Sequence, residues 1–355
     1  MLSTDTLIFE AGSPVAIRMK DLGALSDELH IVVYTKRHNE MKKLAQNVFI
    51  YPTNCSPLLY FWKAYGICER LLHQGGPWLI TSQEAMTNFL VMQLTMQFRD
   101  IPFQAQIHTD FLSPYFWQES VKNKIRYFGY QWGVKHAQCV RVVSERIKDS
   151  LITILGVPQS KISVLPLFID LPRLRKALLS TDLHKKYPQF DRIILMASRL
   201  SREKNFPRAF AAFNILLQRY PKTGLIVVGS GSEEKKLQHL CKKPGLTEHI
   251  FFEGWQNDLA SYYKSADLLL MTSDYEGYGL TIIEALATGL PVVSTDVGVA
   301  REAGATVASS NPWSIAEKIT EVFAKRGQGS LKNYPYVSRA DYLVRYRAGW
   351  ERCGA

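Results

Sequence analysis

The sequence predicts an α/β protein built from two doubly wound domains, and three observations carry that prediction. The chain has 355 residues, too many for one ordinary core and suited to two domains of about 150 to 200 residues each. From Asp191 onward, short apolar runs alternate with segments of helical period, the pattern of a parallel sheet with crossover helices. Glycine-studded turns follow two of these runs, at Gly229 and Gly231 and again at Gly277 and Gly279.

In the C-terminal half, strands are expected at Arg192–Ser198, Gly224–Gly229, His249–Gly254, Asp267–Ser273 and Pro291–Asp296. Helices are expected at Phe206–Pro221, Ser232–Lys243, Leu259–Ala266 and around Glu284. Ser232 reads as a cap, with acidic residues next and basic residues last, matching the helix dipole. The N-terminal half repeats the theme with strands at Thr6–Ala11, His30–Thr35, Asn47–Pro52, Pro77–Ser82, Phe103–His108, Cys139–Ser144 and Ile162–Leu167. The two prolines of LPLFIDLPRL (Leu165 to Leu174) mark the hinge. The expected domains are residues 1–170 and 171–334, with an aromatic, basic helix over about 335–355 packing back on the first.

Composition narrows the classes. Hydrophobic residues make up 46% and charged residues 21%, so the chain can bury sizeable cores and is not a disordered or low-complexity polymer. The net charge of +11 favours an anionic partner: a nucleotide ligand, nucleic acid or an anionic membrane surface. Five cysteines, Cys55, Cys68, Cys139, Cys241 and Cys353, lack metal-ligand spacing and read as reduced thiols of a cytoplasmic protein. No run approaches the roughly 18 apolar residues of a spanning helix. The N-terminus MLSTDTLIFE lacks the layout of a signal peptide, so neither export nor a bilayer span is expected.

The segment DYEGYGLTIIEALATG (Asp274 to Gly289) concentrates the chemistry. Glu276 falls on a loop at a strand's carboxyl end and Glu284 early in the following helix. At that edge of an open sheet ligands bind, and backbone N–H groups near Gly277, Tyr278, Gly279 and Leu280 would face an anion at a helix N-terminus. Arg199 and Lys204 stand five apart beyond another strand. Two fixed cations there would stabilise a departing diphosphate more in the transition state than in the ground state. Gly229 and Gly231 form a strand-to-helix turn without the third glycine of a dinucleotide fingerprint. Solvated surface charges and ordinary tight turns are the bland alternatives for each of these features.

Taken in order, SRLSREKN (Ser198 to Asn205), VVGSGSEEKKL (Val227 to Leu237), FFEGW (Phe251 to Trp255), DYEGYGLTIIEALATGLPVV and TDVGVARE (Thr295 to Glu302) resemble the nucleotide-sugar domain of retaining GT-B glycosyltransferases, more narrowly glycosyltransferase family 4. The resemblance covers roughly residues 130 to 305. It implies two Rossmann-like domains facing a central cleft, with acceptor binding in the first and donor binding in the second. It also implies roles. Arg199 and Lys204 would act on the leaving diphosphate, Glu276 on donor-sugar hydroxyls and Glu284 on the ribose. The amides of Gly277, Tyr278, Gly279 and Leu280 would meet diphosphate and sugar, and Gly229 and Gly254 would complete the substrate-binding set.

In the first domain, His108 of QIHTDF ends a strand, and family members often carry a histidine there near the transferred sugar; Asp110 is a weaker neighbour. The paired-glycine loop of many family members is replaced by FEAGSPVAIRMKD (Phe9 to Asp21), with Gly12 as its one glycine and Arg18 within reach of a diphosphate or acidic acceptor. SPYFWQESVKNKIRYFGYQWGVKHA (Ser113 to Ala137) and PLLYFWKAYGICERLL (Pro57 to Leu72) interleave aromatic and basic residues. That suits a membrane interface or single-stranded nucleic acid as well as a packed core helix. The expectation is therefore a retaining, metal-independent hexosyltransferase without a cofactor. It would use a nucleoside-diphosphate sugar and a saccharide or lipid-linked acceptor, at an anionic membrane's cytoplasmic face, with no nucleic acid partner. The alternatives are a nucleotide-sugar epimerase or hydrolase of the same fold, and a non-catalytic nucleotide binder.

Overall fold

The computed structural model describes residues 1–98, 100–242, 245–325 and 327–354. The chain divides into two compact units. Unit 1 holds Met1–Leu112, Ser120–Pro166 and the segment from Tyr336 onward; unit 2 holds Ser113–Glu119 and Leu167–Pro335.

Unit 1 is an eight-stranded sheet. Its strands are β1 (Leu2–Ser3), β2 (Leu29–Val33), β3 (Lys42–Ala45), β4 (Val48–Pro52), β5 (Ile80–Ser82), β6 (Phe103–Ile107), β7 (Cys139–Val142) and β8 (Ile162–Val164), in the order β3-β4-β2-β1-β5-β6-β7-β8. Every pairing is parallel except β3 with β4. β2 and β6 are buried along their whole length, as strands covered on both faces by helices must be.

Unit 2 is a six-stranded parallel sheet. It comprises β9 (Arg192–Ala197), β10 (Thr223–Val228), β11 (Ile250–Gly254), β12 (Leu268–Met271), β13 (Val292–Thr295) and β14 (Thr306–Ala308), in the order β11-β10-β9-β12-β13-β14. Its core joins Ile194, Leu225, Leu268 and Val293 of the sheet to Phe206, Phe210 and Phe213 of the helix Phe206–Leu217 and to Ile315, Ile319 and Phe323 of the helix Pro312–Lys325. Phe213 is fully buried. Phe213→Ala is expected to destabilise unit 2 by about 3 to 5 kcal/mol, read as the loss of folding free energy in urea unfolding of the whole chain.

Several local expectations are corrected. Thr6–Phe9, expected as a strand, is a 3-10 turn because the Asp5 side chain accepts from Leu7 N and caps it; the first strand is Leu2–Ser3. The helix after β10 spans Glu234–Leu240 with Glu233 at its cap position, so Ser232 is not the cap; Lys243, placed in this helix by its pattern, lies outside the described residues. The aromatic stretch from Ser113 is two helices, Pro114–Glu119 and Val121–His136. The break falls at Ser120, whose side chain accepts from Asn123 N and starts the second. The first of these packs in unit 2, where buried Phe116 meets the Tyr275 ring edge-on and Glu119 accepts from the Tyr275 hydroxyl.

The helix Arg339–Glu351 packs in unit 1. There the buried Arg141 guanidinium lies 4.5 Å from the centre of the Tyr346 ring and donates to Gln106 Oε1 at 3.0 Å and to the Leu165 carbonyl at 3.2 Å. Cys139 of β7 and Cys353, both expected as reduced thiols, form a disulfide with Cα atoms 5.4 Å apart. Thiol titration of the denatured, unreduced protein should find Cys55, Cys68 and Cys241 alone. Titration of all five cysteines would contradict this pairing.

Candidate donor-binding site

In unit 2 the chain leaves β9 toward β10 on one side of the sheet, and β12 lies on the other side of β9. The gap between the carboxyl ends of β9 and β12 is thus the switch point where open α/β sheets bind ligands. Lys204 follows β9 and Glu276 follows β12. Their side chains form an ion pair across this point, each only 12% exposed. Ser273 donates a second hydrogen bond to Glu276 Oε1 at 2.7 Å, fixing the carboxylate between a hydroxyl and an ammonium.

The loops that carry the pair are stitched together. Asn205 takes up the left-handed conformation (φ 46°) and caps the helix Phe206–Leu217 by accepting from Arg208 N. Its amide donates to both Asp274 oxygens at 3.1 Å, and Arg208 makes an ion pair with Asp274 at 2.8 Å. Thr272 Oγ1 donates toward the carbonyls of Lys204 and Asn205, and Asp274 N bonds to Glu203 O at 2.8 Å. Arg199 stands apart: its side chain is 75% exposed and paired with Glu203 at 3.2 Å. Sequence reasoning missed Asn205, Arg208, Ser273 and Asp274 as supports. A polar cluster after each of two buried strands was the available signal.

Gly277, Tyr278 and Gly279 lead into the helix Leu280–Ala287, whose N-cap is Gly279 at φ 96° and whose first turn has no side-chain cap. Tyr278 is buried and its carbonyl accepts from Val299 N, while Leu280 is exposed. Gly298 must lack a Cβ, which would strike the Tyr278 carbonyl. Glu284 lies one turn into the helix, where Tyr263 donates to its Oε2 at 2.8 Å. Burial raises the Glu284 pKa, and the Tyr263 hydrogen bond opposes the shift.

The folded protein therefore holds the Glu284 proton to higher pH than the unfolded chain does. Stability is full below the ordinary carboxyl range and falls as pH rises through the raised value. A ligand hydroxyl donates more strongly to the carboxylate than to the neutral acid, so nucleotide affinity should rise over the same interval. Glu284→Gln should flatten both pH profiles, and an unchanged binding profile would remove Glu284 from the site.

The turn after β10 completes this edge. Gly229 has φ 135°, its N–H bonds to Gly254 O at 2.8 Å, and a Cβ on it would strike the Ser198 carbonyl. A Cβ on Gly231 would likewise strike Leu200. Gly254 at φ 67° ends β11, next to exposed Trp255. Among the described residues, no group of three or more His, Cys, Asp or Glu is placed to hold a metal ion.

The remaining expected residues belong to unit 1. His108 follows β6, with Nε2 3.5 Å from Gln106 Oε1. Burial and the charges of Arg141 and Arg18 lower its pKa to about 3. It is neutral at working pH and can donate or accept a hydrogen bond. The unfolded chain takes up the proton below pH 6.5, so this residue costs stability as pH falls from 6.5 toward 3. Gly12, at φ 80°, turns the chain into the helix Pro14–Gly23, which Ser13 caps by accepting from Ala16 N. Arg18 is exposed on that helix.

Two doubly wound sheets, one carrying an ion pair and an uncapped helix end at its switch point, define the GT-B class. The chain belongs to glycosyltransferase family 4: residues 19–173 match the "Glycosyltransferase Family 4" profile and residues 181–335 match "Glycosyl transferases group 1". It is 30% identical over 190 residues to the UDP-Gal:alpha-D-GlcNAc-diphosphoundecaprenol alpha-1,3-galactosyltransferase of Escherichia coli, covering 50% of this chain and 49% of that protein. The matches span between 15% and 51% of the length of the curated relatives. Sucrose-phosphate synthase from Thermosynechococcus elongatus shares the fold at TM-score 0.75 and 19% identity, covering 99% of this chain and 93% of that one. Anabaena HepE, solved with UDP-glucose, shares it at TM-score 0.69 and 19% identity, covering 99% and 94%.

Proposed function

We propose that the protein transfers a hexose-type sugar from a nucleoside diphosphate to an acceptor hydroxyl, with retention at the anomeric carbon. The observation that carries this reading is the Lys204–Glu276 pair at the switch point, beside the uncapped N-terminus at Gly279. On binding, the diphosphate would take the positive ends: the Lys204 ammonium, exposed Arg199 and the N–H groups of the helix start. Glu276 then orients sugar hydroxyls and Glu284 those of the ribose. These cations meet the leaving-group charge that a metal ion would otherwise neutralise. In the front-face step, the bond from C1 to the β-phosphate oxygen breaks as C1 bonds to the acceptor oxygen. The acceptor's proton passes to the phosphate oxygen that leaves.

The acceptor we favour is lipid-linked, as the diphosphoundecaprenol acceptor of the E. coli galactosyltransferase is. Two features of unit 1 support work at a membrane surface. Leu58 (90% exposed) and Trp62 (67%) stand at the start of the helix Tyr60–Leu72 beside exposed Lys63. Val121, Ile125 and Phe128 form an exposed apolar stripe on the helix Val121–His136, between exposed Lys122 and Lys124. Among the described residues no helix is long and apolar enough to cross a membrane, so contact of this kind would be interfacial. Vesicles containing phosphatidylglycerol should retain the protein in flotation, and Leu58→Ser with Trp62→Ser should release it. Retention unchanged by both substitutions would sink the membrane part of the reading.

Nucleoside diphosphate release from UDP, GDP and ADP sugars, with and without acceptor extracts, separates transfer from its alternatives. Release that depends on an acceptor supports transfer. Release indifferent to every acceptor would assign the site to hydrolysis.

A further inference from the structure

β8 forms one edge of the unit 1 sheet, and beside it opens a cleft of about 600 Å³. Its walls come from β7, β8, the helix Glu145–Leu155 and the helix Arg339–Glu351, all of unit 1. Four cations line it, Arg141, Lys148, Arg345 and Arg352, against one carboxylate, Glu145. The volume lies in the range of small-molecule sites, and no residue expected at the sugar-transfer site lines it.

Arg141 is only 3% exposed. Its guanidinium donates to Gln106 Oε1 at 3.0 Å, the Leu165 carbonyl at 3.2 Å and the Tyr342 hydroxyl at 3.5 Å, none of them an anion. Its Nε is a buried polar atom that lacks a hydrogen bond among the described residues. A buried guanidinium is costly unless an opposite charge and a full set of acceptors meet it, and Arg141 has neither. Arg352 is exposed and forms no ion pair among the described residues. Its neighbour Cys353 is bonded to Cys139 of β7, which holds this second cation at the cleft. Lys148 pairs with Glu145 at 2.9 Å and Arg345 with Asp341 at 2.8 Å, each within its own helix. Surface pairs of this kind contribute little, so both cations can turn to a ligand.

We propose that this cleft binds a phosphate monoester, with the phosphate held by Arg141 and Arg352 and further neutralised at the rim by Lys148 and Arg345. Guanidinium forks match phosphate oxygens bidentately. An excess of three positive charges on the wall favours a dianion over a monocarboxylate. Ile162, Val164 and Ala348 line the remainder and offer a modest apolar surface to the organic part of the ester. The proposal is independent of the donor chemistry in unit 2.

Calorimetric titration of the full chain with glycerol phosphate, at constant ionic strength, tests this. Binding should be one-to-one, glycerol should give none, and Lys204→Met should leave the affinity for glycerol phosphate unchanged, because Lys204 lies in unit 2. Arg141→Met should abolish binding. Since Arg141 also braces the core of unit 1, the double variant Arg345→Gln with Arg352→Gln supplies a reading that spares the fold. It should weaken glycerol phosphate at least about tenfold while its thermal midpoint stays that of the parent. Competition by vesicles containing phosphatidic acid would assign the monoester to a lipid headgroup, and its absence would assign a soluble ester. No binding of glycerol phosphate at millimolar concentration, binding that the double variant leaves unchanged, or binding lost with Lys204→Met would overturn the proposal.

Discussion

Lys204→Met should lower sugar transfer by about 10² to 10³-fold, the loss typical when one preorganised charge on a developing anion is removed. The effect should fall on kcat more than on KM, because the leaving diphosphate gains charge in the transition state. Glu276→Gln provides the complementary case. It frees Lys204 from its partner while keeping a hydrogen-bond acceptor for Ser273, so diphosphate binding should hold or tighten while transfer falls because the sugar is less well oriented. Equal losses of diphosphate affinity in both variants would mean that the pair only braces the loops. Circular dichroism of each variant guards against that reading, since Asn205, Arg208 and Asp274 should keep the loops joined without the pair.

Gly229→Ala should cost about 3 kcal/mol or more, because two penalties coincide. Its φ of 135° is a region that L side chains rarely adopt, and the added methyl would meet the Ser198 carbonyl. For a unit of this size the loss corresponds to a fall in Tm of about 6 to 12 °C. Gly12→Ala is the control: φ is 80°, also left-handed, but no atom lies within 4 Å of the added carbon. It should cost about 1 kcal/mol. Gly229→Ala should also lower nucleotide affinity, since Gly229 bonds to Gly254 and packs on the chain just before Arg199. Matching falls in Tm for the two variants would remove the steric argument.

Most of unit 2 was legible because β9, β10, β12 and β13 carry uninterrupted apolar runs bounded by polar turns, whereas β14 (Thr306–Ala308), three residues long, was not among the expected strands. At β9 and β12 the pattern also placed Lys204 and Glu276 after strand ends, and the topology then brings them together. The supports were not legible: Asn205 and Asp274 are far apart in sequence and meet only because β9 and β12 are neighbours. Unit 1 was read less well for local reasons. β1 has too few residues to show a pattern, β3 (Lys42–Ala45) is an incompletely buried antiparallel edge, and Asp5 turns an apolar run into a cap. Cys139 and Cys353 are 214 residues apart, a pairing that spacing cannot suggest. Phe116 left its sequence neighbours for unit 2, where Tyr275 completes its packing.

On the proposed function, the switch point of unit 2 binds a nucleoside diphosphate through Lys204 and Glu284. Calorimetric titration of the protein with UDP, GDP and ADP tests it most directly. One of the three should bind with one-to-one stoichiometry, and both Lys204→Met and Glu284→Ala should weaken it at least about tenfold, the effect of 1.4 kcal/mol. Binding of none of them, or binding that both variants leave unchanged, would contradict the account.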